Sequence, residues 1–200
     1  GMVCGTGSSL FVRREGQPLR HIGGKGYLID TGGSGFELGR EAIREALRAV
    51  DGRRGSTVLV DLLAGIIGRP IDDGVTPIVH RGGRPYIASF AKAVFEGRRL
   101  GDKACEEIFQ RQAALMADLT YAAQTSFDGD FNVVAGGGIV SHYPEYFAAI
   151  KEKSAPGAQL VLQDAPPAYG AAVEAMWDAG ESVTDGFKTR FLAQYAREKK

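Results

Sequence analysis

A turn rich in glycine and hydroxyl residues lies near the beginning of the sequence. Gly5, Thr6, Gly7 and Ser8 follow directly on Cys4, and a second apolar run comes next. Glycine lets the backbone adopt a positive φ and lets a ligand approach without a Cβ in the way. Successive N–H groups in such a turn form an anion-binding concavity, to which the hydroxyls add donors. A plain hairpin turn has the same composition, so both a phosphate-binding turn and a hairpin stay open.

A second junction between a strand and glycines lies late in the chain. Residues 131–135 have the apolar pattern of a buried strand and lead directly into Gly136, Gly137 and Gly138. Ligands of open α/β sheets bind beyond the carboxyl ends of strands, so this junction suits a nucleotide ring or a sugar. A close crossing of a strand and a helix would require the same small residues, and this alternative also stays open. Neither junction contains G-x-x-x-x-G-K-[ST] or G-x-G-x-x-G, which argues against a P-loop and a dinucleotide-binding fold.

The composition limits the classes of partner and compartment. The 24 Lys and Arg residues balance the 24 Asp and Glu residues, so no strong field is present to hold nucleic acid or an anionic membrane. No apolar run has membrane-spanning length. Cys4 and Cys105 are too few for a disulfide framework or a cysteine zinc site, and the three histidines lack metal-ligand spacing. We therefore expect a cytoplasmic chain with no protein-held metal and no nucleic-acid or membrane partner.

Short strands and amphipathic helices must position these glycine turns. Strands are expected at residues 3–5, 8–14 and 17–22, which would form an antiparallel meander. Later strands at residues 131–135 and 160–162 are separated by a helix, which implies parallel pairing through right-handed crossovers. The pattern predicts an α/β fold with a mixed sheet, in which three antiparallel N-terminal strands precede later parallel strands and helices cover both faces.

Capping residues predict where the helices begin. One helix is expected to be capped near Ser34, with Glu37 away from its apolar face, and a second helix is expected to be capped by Ser56. Asp102 precedes the longest amphipathic pattern of the chain. Residues 71–85 contain several glycine and proline pairs, so we predict turns there rather than a helix.

Five stretches, taken in order, resemble motifs of one protein family. The Cys-Gly-Thr-Gly-Ser-Ser stretch at residues 4–9 resembles the phosphate-2 motif of the N-acetylglucosamine kinase and BadF/BcrA-type ATPase family, which belongs to the superfamily of acetate and sugar kinases, chaperones and actin. Residues 24–35 resemble its Gly-Trp-Gly-x-x-x-Gly-Asp-Glu-Gly-Ser-Gly loop, and residues 133–138 resemble its adenosine motif. Residues 101–104 match the Gly-Asp-x-x-Ala start of its long helix, and residues 166–172 resemble its closing Pro-Pro-x-x-Gly-Ala stretch. The five stretches span nearly the whole chain.

The resemblance implies an RNase H-like (actin-like ATPase) lobe and a kinase-type phosphotransferase that uses ATP and Mg²⁺. The positions that it implies for ATP phosphates and adenosine are Gly5, Thr6, Gly7, Ser8, Gly136 and Gly137. The positions that it implies for the sugar are Gly24, Lys25, Asp30 and Thr31.

Kinases of this family have two lobes, with ATP and sugar in the cleft between them. The phosphate-1 hairpin and the aspartate that acts as general base belong to the first lobe, and nothing before Val3 corresponds to them. The resemblance therefore implies that residues 1–200 form a single domain equivalent to the second lobe, with the first lobe absent and no catalytic residue in this chain. We expect no catalysis by these residues alone. The implied partners are a nucleotide and either a separate N-terminal lobe or a second copy in a homo-oligomer.

The loop at residues 24–35 departs from the family pattern at the positions that hold the sugar. Lys25 stands where the family has tryptophan, Thr31 and Gly32 replace its Asp-Glu pair, and Asp30 lies one residue earlier. The loss of a carboxylate that accepts from hydroxyls removes charge-assisted hydrogen bonds worth roughly 1.5–3 kcal/mol each. This departure favours an alternative function, in which the chain is a degenerate, non-catalytic lobe used for oligomerisation or regulation.

Overall fold

A mixed sheet forms the centre of the fold. The structure, a computed structural model, describes residues 1–198, apart from the side chains of residues 75–77, 79 and 81. The strands in that part of the chain are β1 (Met2–Cys4), β2 (Ser8–Val12), β3 (Arg20–Ile22), β4 (Phe131–Gly136) and β5 (Ala158–Leu162). Their spatial order is β3-β2-β1-β4-β5; β2 is antiparallel to both β1 and β3, whereas β1 and β4 are parallel. The predicted mixed sheet is confirmed.

Alternation along the strands places one row of side chains in the core. Side chains of a strand point to opposite faces in turn, so every second residue can be buried. The buried apolar members are Met2, Cys4, Leu10, Val12, Phe131, Val133, Ala135 and Leu160. Because β1 has a partner strand on each side, its backbone is held from both edges.

The chain divides into two compact units, the first covering Gly1–Val161 and the second beginning at Leu162. The helices of the first unit are α1 (Gly35–Val50), α2 (Leu59–Ile67), α3 (Ile71–Arg81), α4 (Gly83–Ser89), α5 (Ala91–Arg99), α6 (Lys103–Gln124), α7 (Gly138–His142) and α8 (Pro144–Lys153). The second unit contains α9 (Pro167–Asp178) and α10 (Phe187–Glu198), which share the aromatic contacts of Tyr169 with Phe187 and Phe191. No helix within residues 1–198 is long and apolar enough to span a membrane.

The predicted cap at Ser34 is confirmed and the predicted cap at Ser56 is wrong. The Ser34 side chain caps α1, and the Asp102 carboxylate caps α6 by accepting the Cys105 N–H at 2.9 Å. Helix α2 begins at Leu59 and does not use Ser56 as its cap. The second oxygen of Asp102 instead accepts the N–H of Val58 at 2.9 Å, so one carboxylate serves the first turns of two helices. Val58 and Asp102 lie far apart in sequence, so no local sequence pattern could predict this hydrogen bond.

The prediction of turns at residues 71–85 is wrong, because α3 and α4 occupy most of this segment. Pro70 is the N-cap of α3, and Asp72 and Asp73 lie in its first turn, where carboxylates complement the helix dipole. Pro85 lies in the first turn of α4, where a missing N–H removes no helical hydrogen bond. Gly82, Gly83 and Pro85, which suggested turns, therefore mark the start of α4, whereas Gly74 lies inside α3.

Candidate functional site

The turn between β1 and β2 is held by the first residues of α1. The Gly5 N–H donates to the Gly7 carbonyl at 2.9 Å, which closes the turn on itself. The Gly5 carbonyl accepts the Gly35 N–H at 2.8 Å, and the Thr6 carbonyl accepts the Phe36 N–H at 3.1 Å. The carbonyls of the turn are thus occupied, whereas the N–H groups of Thr6 and Gly7 donate to no group among the described residues. The turn is both a hairpin and a fixed array of free donors.

A cavity of about 330 Å³, here called the first cavity, lies against this turn. Its volume is within the range of small-ligand sites. It is lined by Val3, Gly5, Thr6, Gly7, Ser8, Ser9, Phe11, His21, Gly24, Gly26, Tyr27, Thr31 and Arg84. Backbone and hydroxyl groups of the turn form one wall of this cavity. Arg84 lies so close to the turn that a Cβ added to Gly7 would be 3.3 Å from its guanidinium Nη2.

A second cavity of about 310 Å³ also lies against the turn. It is lined by Gly5, Thr6, Gly35, Pro85, Ala88, Ser89, Gly138 and Ile139. Gly5 and Thr6 line both cavities, so the two cavities adjoin at the turn. The wall formed by Pro85 and Ala88 is small and apolar, as suits the flat face of a ring.

The glycines after β4 serve different purposes. Gly136 belongs to β4 and is in register with Val3 of β1. Gly137 has φ +115°, and a Cβ there would lie 2.6 Å from the Cys4 carbonyl carbon. The alternative of a close backbone crossing therefore holds for Gly137. A Cβ added to Gly138 would meet no atom within 4 Å, and this residue lines the second cavity. The glycine pattern included Gly138, but the positions that the family resemblance implied for adenosine did not. Adenosine contact at Gly136 and Gly137 stays a prediction.

A third cavity of about 360 Å³ lies beside the loop at residues 24–35. It is lined by Ser8, Gly24, Leu28, Ile29, Asp30, Thr31, Gly32, Glu37, Arg40, Glu41, Arg111, Gln112, Leu115, Asp118 and Leu119. Ser8, Gly24 and Thr31 also line the first cavity. The first cavity therefore adjoins the second cavity at the glycine turn and the third cavity at the loop.

The predicted sugar-site residues are not all placed alike. Gly24, with φ +67°, lies so close to the turn that a Cβ would be 2.5 Å from the Ser8 carbonyl oxygen. Asp30 faces the third cavity and accepts the Lys25 N–H at 3.3 Å. The Lys25 ammonium lies 3.1 Å from Nδ1 of His21 and is exposed. The structure thus brings Gly24, Asp30 and Thr31 to the cavity walls, whereas the Lys25 side chain lies along β3.

A buried carboxylate stands behind Thr31. Glu37 is 6% exposed, although its position in the sequence predicted the polar face of α1. One of its oxygens accepts the Thr31 hydroxyl at 2.8 Å, and the other accepts Nη2 of Arg40 at 2.7 Å. Burial of a carboxylate is costly unless it is paired and hydrogen-bonded, and here both oxygens have partners. The i,i+3 spacing of Glu37 and Arg40 is the sequence signal that could have indicated this pair.

Buried hydrogen bonds fix the loop to the turn and to α6. The Ser8 hydroxyl donates to the Gly32 carbonyl at 2.8 Å. The Gly33 N–H donates to the buried Gln112 side chain at 2.8 Å, and its carbonyl accepts the Tyr146 hydroxyl at 3.0 Å. Gly33 has φ +80°, a conformation that L residues rarely adopt. The walls of the first and third cavities are therefore rigidly placed.

The described residues give Cys4 no thiolate character and group no cluster of metal ligands. Burial raises the pKa of Cys4 to about 12, so its thiol stays protonated at neutral pH. Within residues 1–198, no three His, Cys, Asp or Glu side chains are grouped to hold a metal ion. The described side chains that line the first cavity include no carboxylate. These residues consequently do not form a Mg²⁺ site, and we derive no step through that ion.

Comparisons with known proteins agree on the fold and the family. Residues 1–175 match the model of the BadF/BadG/BcrA/BcrD ATPase family. An N-acetylmuramic acid/N-acetylglucosamine kinase of Clostridium acetobutylicum is 30% identical over 115 residues, which are 56% of this chain and 37% of that protein. A structure described as a candidate N-acetylglucosamine kinase from Chromobacterium violaceum superimposes with a TM-score of 0.66 at 22% identity, covering 86% of this chain and 57% of the other.

A second candidate N-acetylglucosamine kinase, from Porphyromonas gingivalis, superimposes with a TM-score of 0.60 at 19% identity, covering 81% of this chain and 55% of the other. The chain thus spans a little over half of the solved structures and 37% of the curated relative. The predicted actin-like ATPase fold is confirmed. The family match covers most of the sequence, and this chain is a member of the BadF/BadG/BcrA/BcrD ATPase family.

Proposed function

We propose that this chain is the ATP-binding, C-terminal lobe of a sugar-kinase-like phosphotransferase. The observation that carries the proposal is that the first cavity adjoins both others, because it shares Gly5 and Thr6 with the second cavity and Ser8 with the third. A phosphotransferase must hold the phosphates between the nucleotide base and the acceptor, because the acceptor oxygen attacks opposite the leaving oxygen. The adjacency of the cavities supports such an arrangement.

Each cavity has the chemistry of one part of this arrangement. Small residues with exposed backbone, including Gly138, make the second cavity suitable for adenosine. Free N–H groups and hydroxyls at the turn make the first cavity suitable for phosphates. Asp30 and Thr31 give the third cavity acceptors for the hydroxyls of a sugar.

Phosphoryl transfer would require groups beyond the described residues. A general base and a Mg²⁺ ion are expected for this chemistry, and the first cavity provides neither a carboxylate nor a metal cluster among the described side chains. We propose that a complementary N-terminal lobe provides the base, either as another part of a longer polypeptide or as a separate chain. The Mg²⁺ ion would then be held mainly by phosphate oxygens and by that lobe. Cytoplasmic location belongs to the same proposal.

Calorimetric titration with MgATP and with adenosine tests the proposal. We expect a Kd for MgATP in the micromolar-to-millimolar range. MgATP should bind more tightly than adenosine, because the first cavity adds phosphate contacts. Thr6 lines the first and second cavities, so Thr6→Ala, which removes a hydroxyl there, should weaken ATP binding. Thr189→Ala changes a residue that lines none of the three cavities and should not weaken it. Absence of MgATP binding to a correctly folded chain would refute nucleotide binding. A sugar-dependent ATPase rate from these residues alone would refute the need for a complementary lobe.

A degenerate, regulatory lobe is a second candidate function. The observation in its favour is that Glu37 has both oxygens occupied, by Thr31 and Arg40, so it does not replace the family's free carboxylate. Such a lobe would associate through a protein surface and would not need a sugar. Analytical ultracentrifugation with and without MgATP separates the two candidates: an ATP-independent oligomer without nucleotide binding supports the regulatory lobe.

A further inference from the structure

Arg84 is an exposed cation beside the phosphate-facing turn, and neither the family motifs nor the sequence pattern singled it out. We propose that Arg84 binds the phosphates of the nucleotide and supplies the positive charge that the glycine turn lacks. This inference rests on the proposed function, because it assigns a role within the same site. Arg84 lies in the first turn of α4, within the stretch at residues 71–85 that the sequence had predicted to form turns.

The first cavity needs such a charge. Its turn offers only neutral donors, namely N–H groups and the hydroxyls of Thr6 and Ser9, and the chain has no P-loop lysine. Among the lining side chains that the structure describes, Arg84 is the one with a permanent charge. A guanidinium presents several donors in a planar fork that matches phosphate oxygens, and hydrogen bonds between charged groups are about twice as strong as neutral ones.

The Arg84 guanidinium is held in place without being neutralised. It lies over the ring of Tyr27 at 5.2 Å from the centroid, and Tyr27 in turn meets the edge of the Phe36 ring at 5.5 Å. In the described part of the chain, Arg84 forms no ion pair and no hydrogen bond. A cation–π contact occupies no N–H donor, so the donors of the guanidinium remain available to an anion in the first cavity.

The helix that carries Arg84 is fixed to α1 by a close backbone contact. A Cβ on Gly39 of α1 would overlap the Ile87 carbonyl of α4, and it would be 3.0 Å from the Ile87 carbonyl carbon. Tyr86 packs edge-on against the buried Phe90 with ring centroids 4.9 Å apart. Because α1 also holds the turn through Gly35 and Phe36, the turn and α4 are positioned by one helix.

Titration of three variants with MgATP and with adenosine tests this role. Arg84→Ala should weaken MgATP binding about 10-fold, as expected for the loss of one charge-assisted interaction at an exposed site. Adenosine binding should change less than about 2-fold, because adenosine carries no phosphate. Arg84→Lys should lose only part of the affinity, since it keeps the charge but not the fork. Arg69→Ala removes the same charge from an exposed position that lines none of the three cavities and should bind MgATP like the wild type.

The outcomes separate this inference from the proposed function. If the wild-type chain binds MgATP but Arg84→Ala binds it equally well, the role of Arg84 is refuted and nucleotide binding stands. If Arg84→Ala loses affinity for MgATP and adenosine alike, Arg84 acts on the shape of the site and the phosphate contact is again refuted. If the folded wild-type chain binds no MgATP, the proposed function and this inference both fail. Circular dichroism and the thermal midpoint of each variant show that the fold is intact.

Discussion

Alanine substitutions at two adjacent glycines are expected to have opposite effects. In Gly137→Ala, the new Cβ would lie 2.6 Å from the Cys4 carbonyl carbon and 3.0 Å from the Cys4 nitrogen, and φ is +115°. The Cys4 backbone cannot withdraw, because β1 is paired with both β2 and β4. The unfavourable φ costs about 1–2 kcal/mol and overpacking costs about 1–3 kcal/mol, which together give roughly 2–5 kcal/mol.

Gly138→Ala is the matched control, because an added Cβ there meets no atom within 4 Å and the residue is the first of α7. Alanine favours the helical conformation, so the free energy of unfolding should stay equal or rise by up to about 1 kcal/mol. The new methyl group would instead enter the second cavity, and MgATP affinity should fall.

Urea unfolding followed by circular dichroism gives the two free energies of unfolding, and calorimetry gives the affinities. For a chain of this size, a loss of 2–5 kcal/mol corresponds to a thermal midpoint lower by roughly 4–20 °C. The reasoning is refuted if Gly137→Ala is as stable as Gly138→Ala. It is also refuted if Gly138→Ala is the less stable of the two, because open space at that position would then not describe the native state.

Three further predictions concern the anchors of the site. Gly33→Ala should lower the free energy of unfolding, measured in urea, by about 2–4 kcal/mol, because φ is +80° and its Cβ would overlap α6. Gly16→Ala is the control, because φ is +69° but the space around it is open, and it should lose only about 1 kcal/mol. Equal losses would contradict the packing at Gly33. Burial raises the pKa of Cys4 to about 12 and also raises that of Cys105, so a disulfide reagent at neutral pH should label both thiols only after unfolding, and rapid labelling of the native chain would contradict their burial. Burial alone would raise the pKa of Asp102, but two backbone N–H groups and side-chain donors outweigh it and lower the pKa. The stabilising effect of the Asp102 carboxylate is therefore present above its unfolded pKa of about 3.9 and is lost as the pH falls through the lower folded pKa. Asp102→Ala should lower the free energy of unfolding by about 1–2 kcal/mol near pH 7 and by less at lower pH. A loss independent of pH would contradict this account.

Local signals explain which parts of the fold were predictable. Ser34 and Asp102 cap their helices through N–H groups three residues ahead, so the pattern is contained within one turn. The strand alternation of residues 8–12 and the apolar run of residues 131–136 are similarly local. The order of five family-like stretches then extended these local predictions to the whole fold, and the actin-like ATPase fold followed.

Contacts between distant parts of the chain explain the errors. The composition of residues 71–85 predicted turns, but α3 and the start of α4 lie there. The sequence does not show that α4 packs on Gly39 of α1. Glu37 is buried because Thr31 and Arg40 satisfy its carboxylate, although its sequence position suggested an exposed face. Helical periodicity assigns residues to a face but does not show which polar groups find partners there.

The pairing of the glycine turn with α1 determines how an anion can be held. A helix N-terminus is ordinarily an anion site because its first N–H groups lack partners. In α1 the Gly35 and Phe36 N–H groups are donated to the turn carbonyls, and the Glu37 N–H is donated to the Ser34 side chain at 3.2 Å. The helix therefore stabilises the turn and leaves no free N–H in its first three residues for a ligand. Under the proposed function, the free N–H groups of the turn and the Arg84 side chain beside them would hold the anion. The shape of the turn alone was therefore an ambiguous signal in the sequence.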